Sequence, residues 1–267
     1  MSKRVLITFG MGPFSKRRFV LAKQAKMTKL FNTILAYGKE DFGPEFQKHR
    51  EFIDESSLNP RQRHGYWLWK PYFIQKTLRE LDEGDILMYI DSGCNINLKQ
   101  ISALRLLLEI IEGAPEHICG IAFLVELNHP LKEWTKKDIL IRFKTIDIEL
   151  PQIAGGYLII RNSKATRDLI NNWYQLCCSD SYSLLDDSPS KSGDELADFK
   201  GNQHDQSILT MCIYDSGKFV ILPSELTTTK KIAPFYPSRK KDENEAIVGR
   251  IKWRLKWGKR NIERLLS

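Results

Sequence analysis

A chain of 267 residues that is 42% hydrophobic and 28% charged is long enough to bury the core of one large domain and too apolar to stay disordered. Its five cysteines, Cys94, Cys119, Cys177, Cys178 and Cys212, form no CxxC pair, which argues against a disulfide framework or a zinc ribbon and leaves reduced thiols as the expectation. The formal charge of +8 is concentrated at one end: residues 230–267 hold twelve Lys and Arg against four Asp and Glu, so residues 1–229 balance to zero and nucleic acid is not expected as a partner of the body.

In chain order the elements alternate as they do in α/β domains. Met1-Ser2-Lys3-Arg4 leads directly into an apolar run, with no apolar leader and no stretch near the ~20 residues that cross a bilayer, so a cytoplasmic location is expected. That run predicts a strand over 5–9. A loop with Gly10, Gly12 and Pro13 follows, then a helix over 17–28 and a second strand within 30–37. The polar stretch 38–62 carries one helical pattern near 45–54. An aromatic-rich helix is predicted over 69–81, opened by Pro71 in its first turn, and the run GDILMYIDSG predicts a strand over 85–90 that delivers Asp91 to its carboxyl end. Open α/β sheets bind their ligands at that end.

Beyond it the pattern predicts a helix over 98–112, a strand over 118–125, irregular chain to 147, a strand over 156–161 and a helix over 164–177. Residues 179–201, rich in Ser, Asp and Gly with Pro189, read as a mobile loop. A helix over 204–213, a strand over 219–222 and an extended connection over 223–242 complete the body. The basic end reads as a helix over 244–266: Ile247, Ile251, Leu255, Ile262 and Leu265 share a face, with Trp253 and Trp257 on its flank among seven Lys and Arg. That composition suits an interfacial helix on an anionic membrane surface; an ordinary helix packed on the body with a solvated basic face fits equally well.

Five segments in this order, GYWLWKP (65–71), GDILMYIDSG (84–93), EWTKKD (133–138), AGGYLIIRNS (154–163) and HDQSIL (204–209), resemble small bacterial and viral glycosyltransferases of the glycosyltransferase-A fold. The resemblance spans residues 5–222. It implies a Rossmann-like mixed central sheet flanked by helices as a catalytic domain over 1–228, followed by a basic C-terminal extension over 229–267. It also implies a cytosolic, nucleotide-sugar-dependent hexosyltransferase that takes a sugar from a nucleoside diphosphate donor, UDP-type favoured, and adds it to a saccharide or lipid-linked saccharide during surface polysaccharide synthesis. The alternative is a non-catalytic nucleotide- or glycan-binding protein derived from that fold.

Breaking an anomeric bond leaves negative charge on a diphosphate, which a divalent metal or cationic donors must stabilise. Relatives of this kind carry a strand-end Asp-x-Asp for Mn²⁺ or Mg²⁺, hard ions that take oxygen ligands. Here the run is Asp91-Ser92-Gly93, without the second carboxylate. The resemblance therefore leaves Asp91 either holding the metal with His204 or binding the donor ribose; a plain turn cap explains it without either. By the same resemblance Thr8, Phe9 and Gly10 hold the nucleotide at the end of the first strand, Gly155 and Gly156 let the donor approach the backbone, and Asp205 contacts the donor sugar or takes the acceptor's proton, with Gln206 orienting the donor. An N-cap explains Asp205 equally simply, a packing residue His204, and a tight turn the glycine pair. Lys70, at a helix entrance below the Asp91 strand, is a candidate for reaching the diphosphate, against an ordinary solvated lysine. Trp134 and Lys136 are candidates for holding the acceptor and Asp138 for a second base, against a surface turn with a helix cap.

Overall fold

The computed structural model describes residues 2–58, 63–125 and 129–238; the amphipathic segment 244–266 lies outside them. Strand β1 (Arg4–Phe9) leads through a turn into α1 (Arg17–Thr28) and β2 (Thr33–Tyr37). The short helices α2 (Arg50–Leu58) and α3 (Arg63–Tyr66) precede α4 (Trp69–Leu78), which feeds β3 (Ile86–Ile90). A short strand β4 (Cys94–Ile96), helix α5 (Ile101–Gly113) and β5 (Gly120–Phe123) follow, then two brief helices, α6 (Leu131–Trp134) and α7 (Lys137–Arg142). Strand β6 (Tyr157–Arg161), α8 (Lys164–Cys178), α9 (Asp205–Ser216), β7 (Phe219–Leu222), α10 (Glu225–Thr228) and β8 (Phe235–Pro237) complete the described chain.

Six strands form one sheet in the order β2-β1-β3-β6-β5-β7. β6 runs antiparallel to both neighbours, and the other pairings are parallel, so the expected mixed central sheet flanked by helices is present. The strand period of two divides the core between its faces. Ile7, Phe9, Leu87, Tyr89, Leu158 and Ile160 point to one face, among α4, α8 and α9. Leu6, Ile86, Met88, Ile90, Ile121 and Ile159 point to the other, among α1 and α5. The first face is strongly aromatic: Phe9 lies 4.3 Å from Trp69 and 5.0 Å from Phe73, ring centre to ring centre.

The elements arise for local reasons. β3 is buried along its whole length, as a strand covered by helices on both faces must be, and its sequence is a continuous apolar run. α8 starts at Ser163, whose hydroxyl accepts the Thr166 amide at 3.1 Å, and α9 ends on Gly217 at φ 61°, a left-handed C-cap that glycine adopts without strain.

The structure corrects one boundary. The stretch past residue 228 does not leave the body as a plain connection: β8 pairs with β4, and Phe235 is fully buried against Phe123 and Tyr157 at 5.3 and 5.0 Å. Residues 229–238 therefore belong to the domain. The sequence hid this because each of the two pairing strands has only three residues, too few to show a period.

Candidate functional site

The sheet reverses its winding at β1. α1 carries the chain from β1 to β2 on one side, while β3 lies on the other. The carboxyl ends of β1 and β3 therefore flank a switch point, the usual location of a ligand crevice in open α/β sheets. Thr8, Phe9 and Gly10 end β1, and Asp91-Ser92-Gly93 follow β3 in a turn closed by the Cys94 amide, which donates to the Asp91 carbonyl at 2.9 Å. The two ends meet at Gly93, where a Cβ would come within 3.4 Å of the Phe14 ring. Beside them Arg17, the first residue of α1, donates to the Cys94 carbonyl and the Asn95 side chain.

Lys70 organises the cluster beneath this turn. Its side chain is 5% exposed, and its Nζ lies 3.4 Å from Asp91 Oδ2, 3.2 Å from Asp205 Oδ2 and 3.1 Å from the Gly155 carbonyl oxygen. Four separate segments supply these atoms: the first turn of α4, the residue after β3, the loop before β6 and the first residue of α9. An ammonium has three donors, and three oxygens surround it. The approach to Asp205 is an ion pair rather than an aligned hydrogen bond, since Asp205 Oδ2 is buried without an aligned donor.

The two carboxylates differ sharply. Asp91 is 28% exposed and Asp205 3%, so of the pair Asp91 is the one that presents oxygen to the crevice. Its Oδ1 accepts the Tyr89 hydroxyl in a short hydrogen bond. Burial, joined by the nearby Asp91 charge and only partly offset by Lys70, pushes the Asp205 carboxyl up to about 7. Burial opposes the Lys70 ammonium, but Asp205 and Asp91 outweigh it and hold its pKa above the ordinary lysine value. Asp205, the candidate for contacting the donor sugar or taking the acceptor's proton, is buried with the Lys70 ammonium 3.2 Å from its Oδ2.

Gln206 and the glycine pair complete the frame. The Gly155 amide donates to Gln206 Oε1 at 2.9 Å, and Gln206 Nε2 donates to Gln152 Oε1 at 2.7 Å. A Cβ on Gly155 would approach the Gln206 side chain at 3.1 Å, and one on Gly156 would reach 3.4 Å from Asp91 Oδ2. Both glycines thus admit protein side chains closely. The Asp91 amide donates to the Gly156 carbonyl at 2.8 Å, continuing the β3–β6 ladder into the site.

Other candidates are placed differently. Phe9 is spent in the aromatic core. Thr8 is fully buried at the end of β1, its hydroxyl without a hydrogen-bond partner. Gly10 closes a tight turn in which any Cβ would strike the Phe14 carbonyl oxygen. The His204 ring lies 4.8 Å from Tyr66 and 5.6 Å from Trp67. Its Nδ1–H donates to the Leu185 carbonyl at 2.9 Å, which leaves Nε2 facing Asp187 at 3.7 Å. Tyr66, Trp67 and His204 all hold positive φ, at 48°, 61° and 56°, a conformation that costs a non-glycine residue about 1–3 kcal/mol. The strained backbone before α4 and before α9 meets through these rings.

Lys136 and Asp138 also lie apart from the Lys70 cluster. Lys136 Nζ donates to the Ser183 carbonyl at 2.5 Å and the Asp186 carbonyl at 3.1 Å. Asp138 accepts the backbone amides of Lys191 and Ser192 at 2.8 and 2.9 Å. Burial alone would raise the Asp138 carboxyl, but donation from Ser192 and Lys191 outweighs it and holds the pKa below the ordinary value. Both side chains clip down the 183–195 loop, which is anchored rather than loose, with Leu184 and Leu185 buried. Trp134 contributes its carbonyl, which accepts from Gln152 and Ser207, while its ring lies 4.8 Å from that of His129.

A divalent ion fits the cluster poorly. No group of three His, Cys, Asp or Glu with metal-binding spacing occurs among the described residues, and the position between Asp91 and Asp205 is taken by an ammonium. A second cation held about 4 Å from that ammonium would meet roughly 4 kcal/mol of repulsion per unit charge at an effective dielectric near 20. Sequence reasoning missed Tyr89, although its place two residues before Asp91 on the same strand face made it legible. It also missed Gln152, which no local pattern marks.

No family model and no curated protein sequence matches the chain. Among solved structures, a glycosyltransferase involved in glycosylation of the major capsid of PBCV-1 overlaps 88% of this chain and 94% of its own, at 11% identity and a TM-score of 0.49. The bifunctional glycosyltransferase WbbM overlaps 88% of this chain and 45% of its own, at 10% identity and 0.48. Mouse xyloside xylosyltransferase 1 overlaps 89% and 97%, at 10% identity and 0.45.

Proposed function

We propose that the chain is a glycosyltransferase that moves a sugar from a nucleoside diphosphate donor, UDP-type favoured, to a saccharide acceptor in the building of a surface glycan. The observation that carries this reading is the partly exposed Asp91 at the β1/β3 switch point, fixed by Tyr89 and by a buried lysine shared with Asp205. The five ordered motifs support it, since four of them supply this cluster: Lys70, Asp91, Gly155 and the Asp205–Gln206 pair each fall in one. In the reaction the acceptor oxygen forms a bond to the anomeric carbon, the bond to the diphosphate breaks with its electron pair on the phosphate oxygen, and the acceptor proton passes to a base. Asp91 is the group placed to accept hydroxyl hydrogen bonds from the donor, fixing the reacting carbon. Asp205 acts as a positioning residue, through Lys70. Among the described residues no helix is long and apolar enough to cross a membrane; attachment to an anionic membrane surface through 244–266, to meet a lipid-linked acceptor at the cytosolic face, is part of the proposal.

The test is release of UDP, GDP, dTDP or CMP from the matching sugar nucleotides in the presence of simple saccharides, with thermal stabilisation by each nucleotide in parallel. Selective stabilisation together with turnover that Asp91→Asn removes supports transfer. Stabilisation without turnover points to the binding-protein alternative, and response to no nucleotide overturns the reading.

A further inference from the structure

We infer that Lys70 is the resident cation of this site, so that the Asp91–Asp205 pair is held together by a covalently tethered ammonium in the position a divalent ion would otherwise occupy. The inference deepens the proposed reaction and rests on it for its catalytic meaning; the geometry stands by itself.

Three oxygens from three segments converge on Nζ at 3.1 to 3.4 Å: the Gly155 carbonyl, Asp205 Oδ2 and Asp91 Oδ2. Those separations suit an ammonium. Mg²⁺ would need its oxygens near 2.0–2.1 Å, about 1 Å closer than they stand around Nζ, so no ion shares the cage while the ammonium fills it. Asp205 adds an independent sign: its buried Oδ2 has no aligned hydrogen bond, and the charge beside it at 3.2 Å is the Lys70 ammonium, which favours its ionised form in a site where burial opposes it. The α4 segment is built to bring that charge in. Lys70 lies in the first turn, where Pro71 forfeits no helical bond, among neighbours Trp69, Tyr72, Phe73 and Ile74 that are all buried. The rings of Trp67 and Trp69 lie 5.5 and 5.8 Å from Nζ, within the range at which an aromatic face favours a cation. A lysine required only for solubility would not be enclosed in this way.

The consequence for the reaction is specific. The buried ammonium donates to the Gly155 carbonyl and lies within ion-pair distance of both carboxylates, so Lys70 acts as a positioning residue and a fixed charge. It offsets the charge of the carboxylate pair, of which only Asp91 faces the crevice, and leaves Asp91 available for sugar hydroxyls instead of metal. The missing second carboxylate of Asp91-Ser92-Gly93 then has a physical reason: a site with its own cation has no use for a second metal ligand on that turn.

Mn²⁺ alone, with no sugar or nucleotide present, is titrated into the full chain, Lys70→Ala, Lys70→Ala/Asp91→Asn and Asp91→Asn. Bound ion is read from loss of the free-ion paramagnetic resonance signal, and the fold of each variant from circular dichroism. The expected result is no bound Mn²⁺ in the unaltered protein at millimolar ion, and a new site in Lys70→Ala that the double variant loses. Mn²⁺ bound by the unaltered protein and released by Asp91→Asn overturns the inference, and so does a folded Lys70→Ala that gains no site. If Lys70→Ala does not fold, the unaltered protein and Asp91→Asn decide by the same criteria. Because no substrate enters this measurement, its failure is distinct from failure of glycosyl transfer, which is read by nucleotide release.

Discussion

Two buried lysines in one chain have opposite meanings. Lys70 and Lys136 are both nearly inaccessible, and both belong to motifs that resemble a glycosyltransferase. Lys136 is satisfied chiefly by carbonyl oxygens of the loop it clips, Ser183 and Asp186, with the Asp186 carboxylate at the longer distance of 3.4 Å. Lys70 is satisfied chiefly by carboxylates from elements far apart in sequence, one of which still faces the crevice. A charge absorbed by a covering loop is architecture. A charge shared between two carboxylates at a strand end controls the protonation and orientation of groups that a substrate can touch.

Variants can break this contrast, and the largest expected effect is on turnover. Asp91→Asn should lower nucleotide release by about 10² to 10⁴-fold, the range associated with losing a positioned polar group in the reaction, with an unchanged far-ultraviolet spectrum. Near-normal turnover would remove Asp91 from the site.

Stability should separate the two lysines next. Lys70→Met leaves Asp205 buried without its cation, and breaking a buried pair in this way costs about 3–5 kcal/mol. Since the Asp205 carboxyl already stands near 7, it is largely protonated at pH 5 and charged at pH 8, so the loss measured by urea unfolding should be larger at pH 8. An equal loss at both values would mean that Asp205 is not the group left unpaired.

The same carboxyl gives a pH signature. Its folded pKa lies above the unfolded value of 3.8, so as pH rises the unfolded state releases this proton first. Asp205 therefore contributes a decline in stability that begins near pH 4 and is complete above about 7. Asp205→Asn should flatten that slope in unfolding measured from pH 4 to 8; an unchanged slope would place the titration elsewhere.

The smallest effects belong to the clip. Asp138→Asn keeps one acceptor oxygen for the Lys191 and Ser192 amides and should cost about 1–3 kcal/mol. Limited proteolysis should show faster cleavage within 183–195, while turnover at saturating donor changes far less than in Asp91→Asn. Loss of turnover equal to that of Asp91→Asn would return Asp138 to the reacting centre.

Much of this arrangement was legible in the chain. The fully apolar run of β3, the Pro71 helix start and the period of α8 are local patterns, and these elements formed within a few residues of their expected places. Asp91, Lys70, Gly155 and Asp205 were each identifiable as strand-end or helix-entrance residues. That β6 inserts antiparallel between β3 and β5, bringing the Gly155 carbonyl to Lys70, is a long-range pairing that no local pattern encodes. The pairing of β4 with β8 and the use of Asp138 as a loop anchor belong to the same class.

By itself, then, the sequence determined which residues carry charge at the carboxyl edge of the sheet and which faces turn inward, because side-chain period and chain-end chemistry are set within a few residues. Only the tertiary structure decided that Lys70 stands between Asp91 and Asp205, that Asp205 is sealed while Asp91 is open, and that Lys136 and Asp138 are turned toward a loop. Burial and ion pairing depend on what the rest of the chain places within about 4 Å, and those neighbours come from segments up to 135 residues away.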